Sequence, residues 1–152
     1  MVWCFALMKS PDITEVIAQL EGVEGNPVTL LRKARDLLGD RVGVLSSFGA
    51  ESALLLAMAA QADPEMPVLF LNTGRHFPET LAYRRDLAQF LGLRNVIDLA
   101  PEARKAAERD PTGELWAFDP DACCNLRKVE PLRVASMPYA ALVTGRQRGQ
   151  AA

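Results

Sequence analysis

The sequence predicts an α/β fold, a parallel twisted sheet with flanking helices. Three observations predict it. The apolar runs "RVGVLSS" (41–47), "MPVLFLNTG" (66–74) and "NVIDLAP" (95–101) have the length and the boundaries of buried strands. Longer segments with apolar residues at helical spacing lie between them. Strands that alternate with helices imply βαβ units, and those require parallel strands with helices packed on the sheet.

Each element follows in chain order. "ITEVIAQLEG" (13–22) and "NPVTLLRKARDLLGD" (26–40) read as two helices. In the second, Asn26 can cap and Pro27 can take the first helical position, and Leu30, Leu31, Ala34, Leu37 and Leu38 recur on one face. The first strand follows, then "GAESALLLAMAAQA" (49–62), an Ala- and Leu-rich helix. The second strand ends in a turn. "PETLAYRRDLAQFLGL" (78–93) is a helix with Pro78 at its start and Gly92 at its end. The third strand comes next. After the segment "DACCNLRKVEPL" (121–132), "AALVTG" (140–145) reads as a fourth strand. No internal repeat or low-complexity tract interrupts the pattern, so residues 1–152 are expected to form a single domain. The opening "MVWCFALMKSP" is too short an apolar run to span a bilayer, and it lacks the basic start and small-residue cleavage site of a signal peptide. Residues 1–10 are expected to be flexible, and Cys4 receives no role.

Composition narrows the function classes. With 49% apolar and 24% charged residues the chain has the means for one packed core. A net charge of −2 speaks against a general nucleic-acid or membrane binder, so any positive site must be local. Three cysteines, two of them adjacent, do not make a secreted disulfide framework, and a reducing cytoplasm fits better. Cys123 and Cys124 are also poor partners for each other, because neighbouring Cα atoms sit closer than a relaxed disulfide allows.

In parallel sheets, ligands sit beyond the carboxyl ends of the strands. Three strand-end motifs lie there. "SSFGAES" joins a strand to a helix. Gly49 permits a tight turn, Ser46, Ser47 and Ser52 offer hydroxyls, and the helix start offers unpaired N–H groups to an anion. Taken alone, this turn also has a purely geometric reading. It is neither a Walker A loop nor a dinucleotide fingerprint. "LNTGRHFPET" places Asn72, Thr73 and Gly74 at the second strand end, with Arg75 able to face an anion; His76, the sole histidine, reads first as a solvated or capping residue. "VTGRQRGQ" sets Arg146 and Arg148 just past the fourth strand, where guanidinium groups suit phosphate or sulfate, or simply form a solvated basic end.

Together, "SSFGAES", "LNTGRHFPETL", "CCNLRKVEPL" and "TGRQRGQ", in this order, resemble the adenylyl-sulfate and phosphoadenylyl-sulfate reductases of sulfate assimilation. The resemblance covers about residues 40 to 150. It implies the adenine-nucleotide α-hydrolase-like fold with its PP-loop. It implies that Ser46, Ser47, Phe48 and Gly49 surround the phosphosulfate, with Glu51 and Ser52 at the helix start. Leu71, Asn72, Thr73 and Gly74 would line the adenosine, where the family usually reads L-D-T-G. Gly145, Arg146 and Arg148 would meet the anionic end; Gln147 and Gly149 depart from the commoner residues of that loop.

The implied reaction is thioredoxin- or glutaredoxin-dependent reduction of adenylyl sulfate to sulfite and AMP, through a thiosulfonate on a cysteine near the family's C-terminus. The cluster-bearing branch carries a Cys-Cys pair here and a later C-x-x-C, which together hold a [4Fe–4S] cluster. That branch generally takes adenylyl sulfate. Cys123 and Cys124 are therefore the implied metal ligands, and Lys128, four residues past Cys124, a supporting charge near cluster and substrate. The later C-x-x-C and the nucleophilic cysteine have no counterpart in this sequence. The expectation is a C-terminally shortened member with an incomplete fold, two of four cluster ligands and impaired turnover. Three other readings stay open: a non-catalytic adenine-nucleotide-binding module, a phosphoadenylyl-sulfate reductase, and, ranked below them because "SSFGAES" is not S-G-G-x-D-S, an ATP pyrophosphatase or sulfurtransferase-like relative.

Overall fold

β1 (Val42–Leu45), β2 (Val68–Leu71), β3 (Val96–Leu99) and β4 (Ala141–Thr144) form one parallel sheet in the order β3-β2-β1-β4. The computed structural model describes residues 12–23 and 25–145. The expected flexible end at 1–10, Cys4, Arg146 and Arg148 lie outside the described residues.

Leu45 is level with Leu69 of β2 and with Thr144 of β4, so the ends of these strands open on the same side of the sheet. The chain steps outward from β1 to β2 to β3, then returns to the far side of β1 as β4. That reversal creates a switch point between β1 and β4, the place beyond the strand ends where open parallel sheets generally bind ligands.

The strands are shorter than the apolar runs that announce them, because side chains capture the backbone at their ends. The Ser46 hydroxyl accepts the Phe48 N–H at 3.0 Å, and Asn72 Oδ1 accepts the Gly74 N–H at 3.2 Å. Such local bonds compete with the ladder and turn the chain out of the sheet.

The helices are α1 (Ile13–Glu21), α2 (Pro27–Leu38), α3 (Ala50–Ala62) and α4 (Pro78–Leu91), then the short α5 (Ala103–Arg109), α6 (Leu115–Phe118), α7 (Pro120–Cys124) and α8 (Glu130–Ser136). Asn26 caps α2 with Pro27 behind it, as the Asn-Pro pair predicts. Gly92 closes α4 in the left-handed conformation, φ 71°. One core cluster gathers Val44, Phe48, Leu56, Met66, Val68 and Phe70 between the sheet and α3 and α4; a second joins Val16, Ala34, Leu38 and Val42 beneath α1 and α2. Among the described residues no helix is long and apolar enough to cross a membrane.

Candidate functional site at the strand ends

The turn after β1 is strained at an unexpected residue. Gly49 has an ordinary backbone, φ −70°. The left-handed conformation falls on Phe48, φ 58°, where a bulky side chain is a rare outlier. The price is met by burial: Phe48 is only 2% exposed and packs edge-to-face on Phe70, ring centroids 5.6 Å apart. The Phe48 side chain therefore belongs to the core, and only its backbone can face a ligand. Ser46 is buried and Ser47 exposed; each hydroxyl oxygen accepts a backbone N–H two residues on, from Phe48 at 3.0 Å and from Gly49 at 3.4 Å. Both keep a proton to donate to an oxyanion. Glu51 and the half-buried Ser52 lie in the first turn of α3, whose N–H groups point back at this turn.

The loop after β2 is built from its own side chains. Asn72 donates Nδ2 to Asp98 on β3 at 3.4 Å, which an aspartate could not do. Thr73 accepts the Arg75 N–H at 3.2 Å. His76 neither floats in solvent nor caps α4, whose N-cap is Phe77. It is half-buried, stacks on Phe70 with centroids 5.1 Å apart, and its Nε2 lies 2.9 Å from the Leu71 carbonyl. Facing an acceptor, that nitrogen carries the proton. Arg75 folds over Gly113, whose positive φ of 75° and missing side chain leave the guanidinium its place. A Cβ there would sit 1.7 Å from Arg75 Nη2. Arg75 pairs with Asp110 at 3.7 Å.

The cysteine pair closes the site. Asp119 caps α7 through the Ala122 N–H at 2.9 Å, with Pro120 in the first position. α7 runs into a π-helical turn over 125–129 and on into α8, and the Glu130 N–H reaches back five residues to the Asn125 carbonyl. Pro131 explains the widening: it has no N–H, and its ring would clash with the Arg127 carbonyl in a regular α-helix. Lys128 thus does not stand one regular α-turn beyond Cys124, as its spacing suggests. It still lines the same space.

A cleft of 540 Å³ is bounded by Thr73, Arg75 and Phe77 on one side and by Cys123, Cys124, Arg127 and Lys128 on the other, with Trp116 at its wall. Both cysteines are free thiols; Cys124 is exposed and Cys123 half-buried. Arg127 fastens the two sides. Its Nη1 donates to the Thr73 carbonyl at 2.9 Å and its Nη2 pairs with the buried Asp110. The Arg127 guanidinium, then the Leu115 N–H, hold the Asp110 carboxyl below the usual carboxylate range.

Sequence reasoning missed Arg127 and Asp110. Asp110 sits in "RDPTGELW", where no local pattern marks a buried carboxylate. Asp119-Pro120 has the form of a helix start, a local signal not used in reading the sequence, but it does not say that Leu126 and Arg127 turn inward. Ser46–Ser52, Leu71–Arg75 and Gly145 gather at one end of the sheet, and Thr73 and Arg75 are shared between that end and the cysteine cleft.

The cysteine pair does not by itself suit a [4Fe–4S] cluster. A cubane needs four thiolates. Among the described residues no group of three or more His, Cys, Asp or Glu is placed to hold a metal ion, and the sequence has three cysteines in all.

Comparisons with known proteins identify the family and the fold. The family described as phosphoadenosine phosphosulfate reductase domain matches residues 41–152. Adenosine 5'-phosphosulfate reductase of Mesorhizobium japonicum is 50% identical over 120 residues, which cover 79% of this chain and 47% of that protein. The protein of the same name from a Chelativorans species is 50% identical over 110 residues, 72% and 45% of the two chains. Phosphoadenosine 5'-phosphosulfate reductase of Gloeobacter violaceus is 41% identical over 126 residues, 82% and 52%. The chain spans about half the length of these curated relatives. The phosphate complex of phosphoadenylyl-sulfate reductase from Candida auris superposes with a TM-score of 0.70 at 23% identity, over 95% of this chain and 72% of that one. At that identity the likeness shows the shared α/β fold.

Proposed function

This chain belongs to the phosphoadenosine phosphosulfate reductase domain family, and on that premise we propose that it carries the substrate-binding strand ends of an adenylyl-sulfate reductase, within a single domain. The observation that carries the reading is the cysteine cleft: two free thiols share it with three cationic side chains, Arg75, Arg127 and Lys128, and with Thr73 of the β2-end loop.

In this reading the phosphosulfate lies against the turn after β1. Ser46 and Ser47 donate their free hydroxyl protons, Ser52 and the first N–H groups of α3 supply further donors, and Gly49 lets the anion approach. The backbone at Phe48 shapes the turn, and Glu51 sits at its edge. Leu71, Asn72, Thr73 and Gly74 line the adenosine. Gly145, with Arg146 and Arg148 of the same motif, meets the anionic end, and Lys128 adds positive charge on the cleft side.

The reaction balances as follows. The bond between sulfur and the bridging oxygen breaks, and AMP leaves with that oxygen and the electron pair. The sulfur takes two electrons and becomes sulfite. Two thiols of thioredoxin or glutaredoxin supply those electrons, lose two protons and become a disulfide. A cationic cleft helps because AMP and sulfite carry more concentrated negative charge than the mixed anhydride. Cys123 and Cys124 favour adenylyl sulfate over the 3′-phosphorylated substrate, and they are proposed as two of the four thiolates that an iron–sulfur cluster would need.

The test is sulfite release from adenylyl sulfate with reduced thioredoxin, run beside calorimetric titration with AMP, adenylyl sulfate and phosphoadenylyl sulfate. Tighter binding of adenylyl sulfate than of its 3′-phosphorylated analogue supports the assignment. Absence of binding by all three sinks it. The presence of only two thiols in the cleft favours one second reading, a nucleotide-binding module without redox chemistry. Binding without sulfite release selects that reading.

A further inference from the structure

Arg84 lies on the second turn of α4, away from every motif that marks the strand ends. It is largely buried, its side chain 16% exposed. Its guanidinium carbon stands 5.8 Å from the centroid of the Phe48 ring and 5.4 Å from that of Phe70. Its Nη2 pairs with Asp98 on β3. Its Nε is buried with no hydrogen-bond partner, as expected where the group is committed to ring faces on one side and a carboxylate on the other. Asp98 in turn accepts from Asn72 Nδ2 at 3.4 Å, and Asn72 Oδ1 holds the Gly74 N–H.

These contacts form one chain from Phe48 through Arg84 and Asp98 to Asn72. It joins the turn after β1 to the loop after β2. Both of its ends need holding. Phe48 is in a conformation that a bulky L residue avoids, and the chain leaves the ladder just past Asn72, whose N–H still bonds the Leu99 carbonyl at 2.9 Å, so that Gly74, at φ 71°, is held by the Asn72 side chain.

We propose that Arg84 is a positioning residue: it clamps Phe48 in the left-handed conformation and, through Asp98 and Asn72, fixes the β2-end loop against the same clamp. Arginine suits this task better than lysine, because a planar guanidinium can cover ring faces while its edge pairs with a carboxylate. The clamp stands on contacts alone. Its consequence for nucleotide affinity rests on the function proposed above.

The experiment is amide hydrogen exchange by NMR on the whole chain, wild type against Arg84→Met and Arg84→Lys. Two amides report on the clamp: Phe48 N–H, bonded to the Ser46 hydroxyl, and Gly74 N–H, bonded to Asn72. Two report on the sheet: Val44 N–H, bonded to the Pro67 carbonyl, and Val68 N–H, bonded to the Asn95 carbonyl. Arg84→Met should speed exchange at Phe48 and Gly74 about tenfold relative to Val44 and Val68, and Arg84→Lys should recover part of the loss. Equal change at all four amides, or none at Phe48 and Gly74, would overturn the proposal. If Arg84→Met does not fold, Asp98→Asn loosens the clamp from its other end and is read the same way. AMP titration of the same proteins then separates the two ideas. Weaker AMP binding in Arg84→Met supports both. A wild type that shows the exchange pattern in its variants but binds no AMP keeps the clamp and removes the nucleotide site.

Discussion

Phe48 is the residue on which the strand-end turn depends, and its energetics run against the usual order of substitution. Truncating a buried phenylalanine costs about 3–5 kcal/mol. Glycine normally adds about 0.5–1 kcal/mol to such a loss relative to alanine, by its entropy. At φ 58° alanine carries the left-handed penalty of about 1–2 kcal/mol that glycine escapes. Phe48→Gly should therefore be more stable than Phe48→Ala by roughly 0.5–1 kcal/mol, measured by urea denaturation. The opposite order would show that the turn relaxes once the ring is gone. Asp110 is the second such residue. Because Arg127 depresses its pKa, the folded state gains from the ionised form above the ordinary aspartate range. That gain is lost as pH falls below about 4 and through the depressed value. Asp110→Asn should lower the denaturation midpoint at neutral pH and flatten its dependence on pH in the acid range. A variant that keeps the wild-type acid slope would place the effect on another carboxylate, and Glu130, depressed by Arg109, is the next to examine.

At the scale of elements, β1 and the cysteine helix set the geometry. Gly43 lets β1 lie close beneath its neighbours: a Cβ would stand 3.1 Å from both the Pro67 carbonyl oxygen and the Tyr139 ring, and 3.2 Å from Leu69. Gly43→Ala should overpack the sheet and cost about 1–3 kcal/mol, measured by thermal or urea unfolding. In the helical run from Pro120 to Ser136, Pro131 follows the π turn at 125–129. Pro131→Ala restores an N–H that can pair with the Arg127 carbonyl, so the variant should gain helical stability of about 1–3 kcal/mol as the π turn regularises. The same change would rotate Arg127 and Lys128 relative to Cys123 and Cys124. Alkylation of the exposed Cys124 thiol should then change rate although its own sequence neighbours do not. An unchanged rate together with unchanged stability would mean that the π turn is held by something other than the proline.

For the whole molecule, the decisive relation is between two places at one end of the sheet. The β1/β4 switch point gathers the serine turn and Gly145, while the β2-end loop leans toward the cysteine cleft through the bonds of Arg127 to Thr73 and Asp110. A ligand spanning both would place its anionic group between the helix start of α3 and the thiols. The same wholeness limits the metal chemistry. With Cys123 and Cys124 as the thiol pair of the cleft, anaerobic reconstitution of the 152-residue chain should give labile iron well short of four atoms per chain. A stable four-iron cluster per monomer, by iron analysis and thiolate-to-iron absorbance, would contradict this and require ligands from beyond the pair.

Local sequence carries the alternation of strands and helices, the cap at Asn26-Pro27, the close of α4 at Gly92, and the strand ends as the place to look. These are local matters, written in periodicity, in turn residues and in the motifs that carry the family resemblance. Tertiary structure alone decided that Phe48 rather than Gly49 bears the strained turn, that His76 seals a loop, and that Arg127 and Asp110 join the cysteine helix to the β2 end. It also set Arg84 behind the turn, 5.8 Å from a ring 36 residues earlier in the chain. The physical reason is the same in each case. The energy comes from contacts between residues far apart in sequence, where burial makes a ring face or an ion pair worth more than any local propensity, and no spacing along one element encodes it.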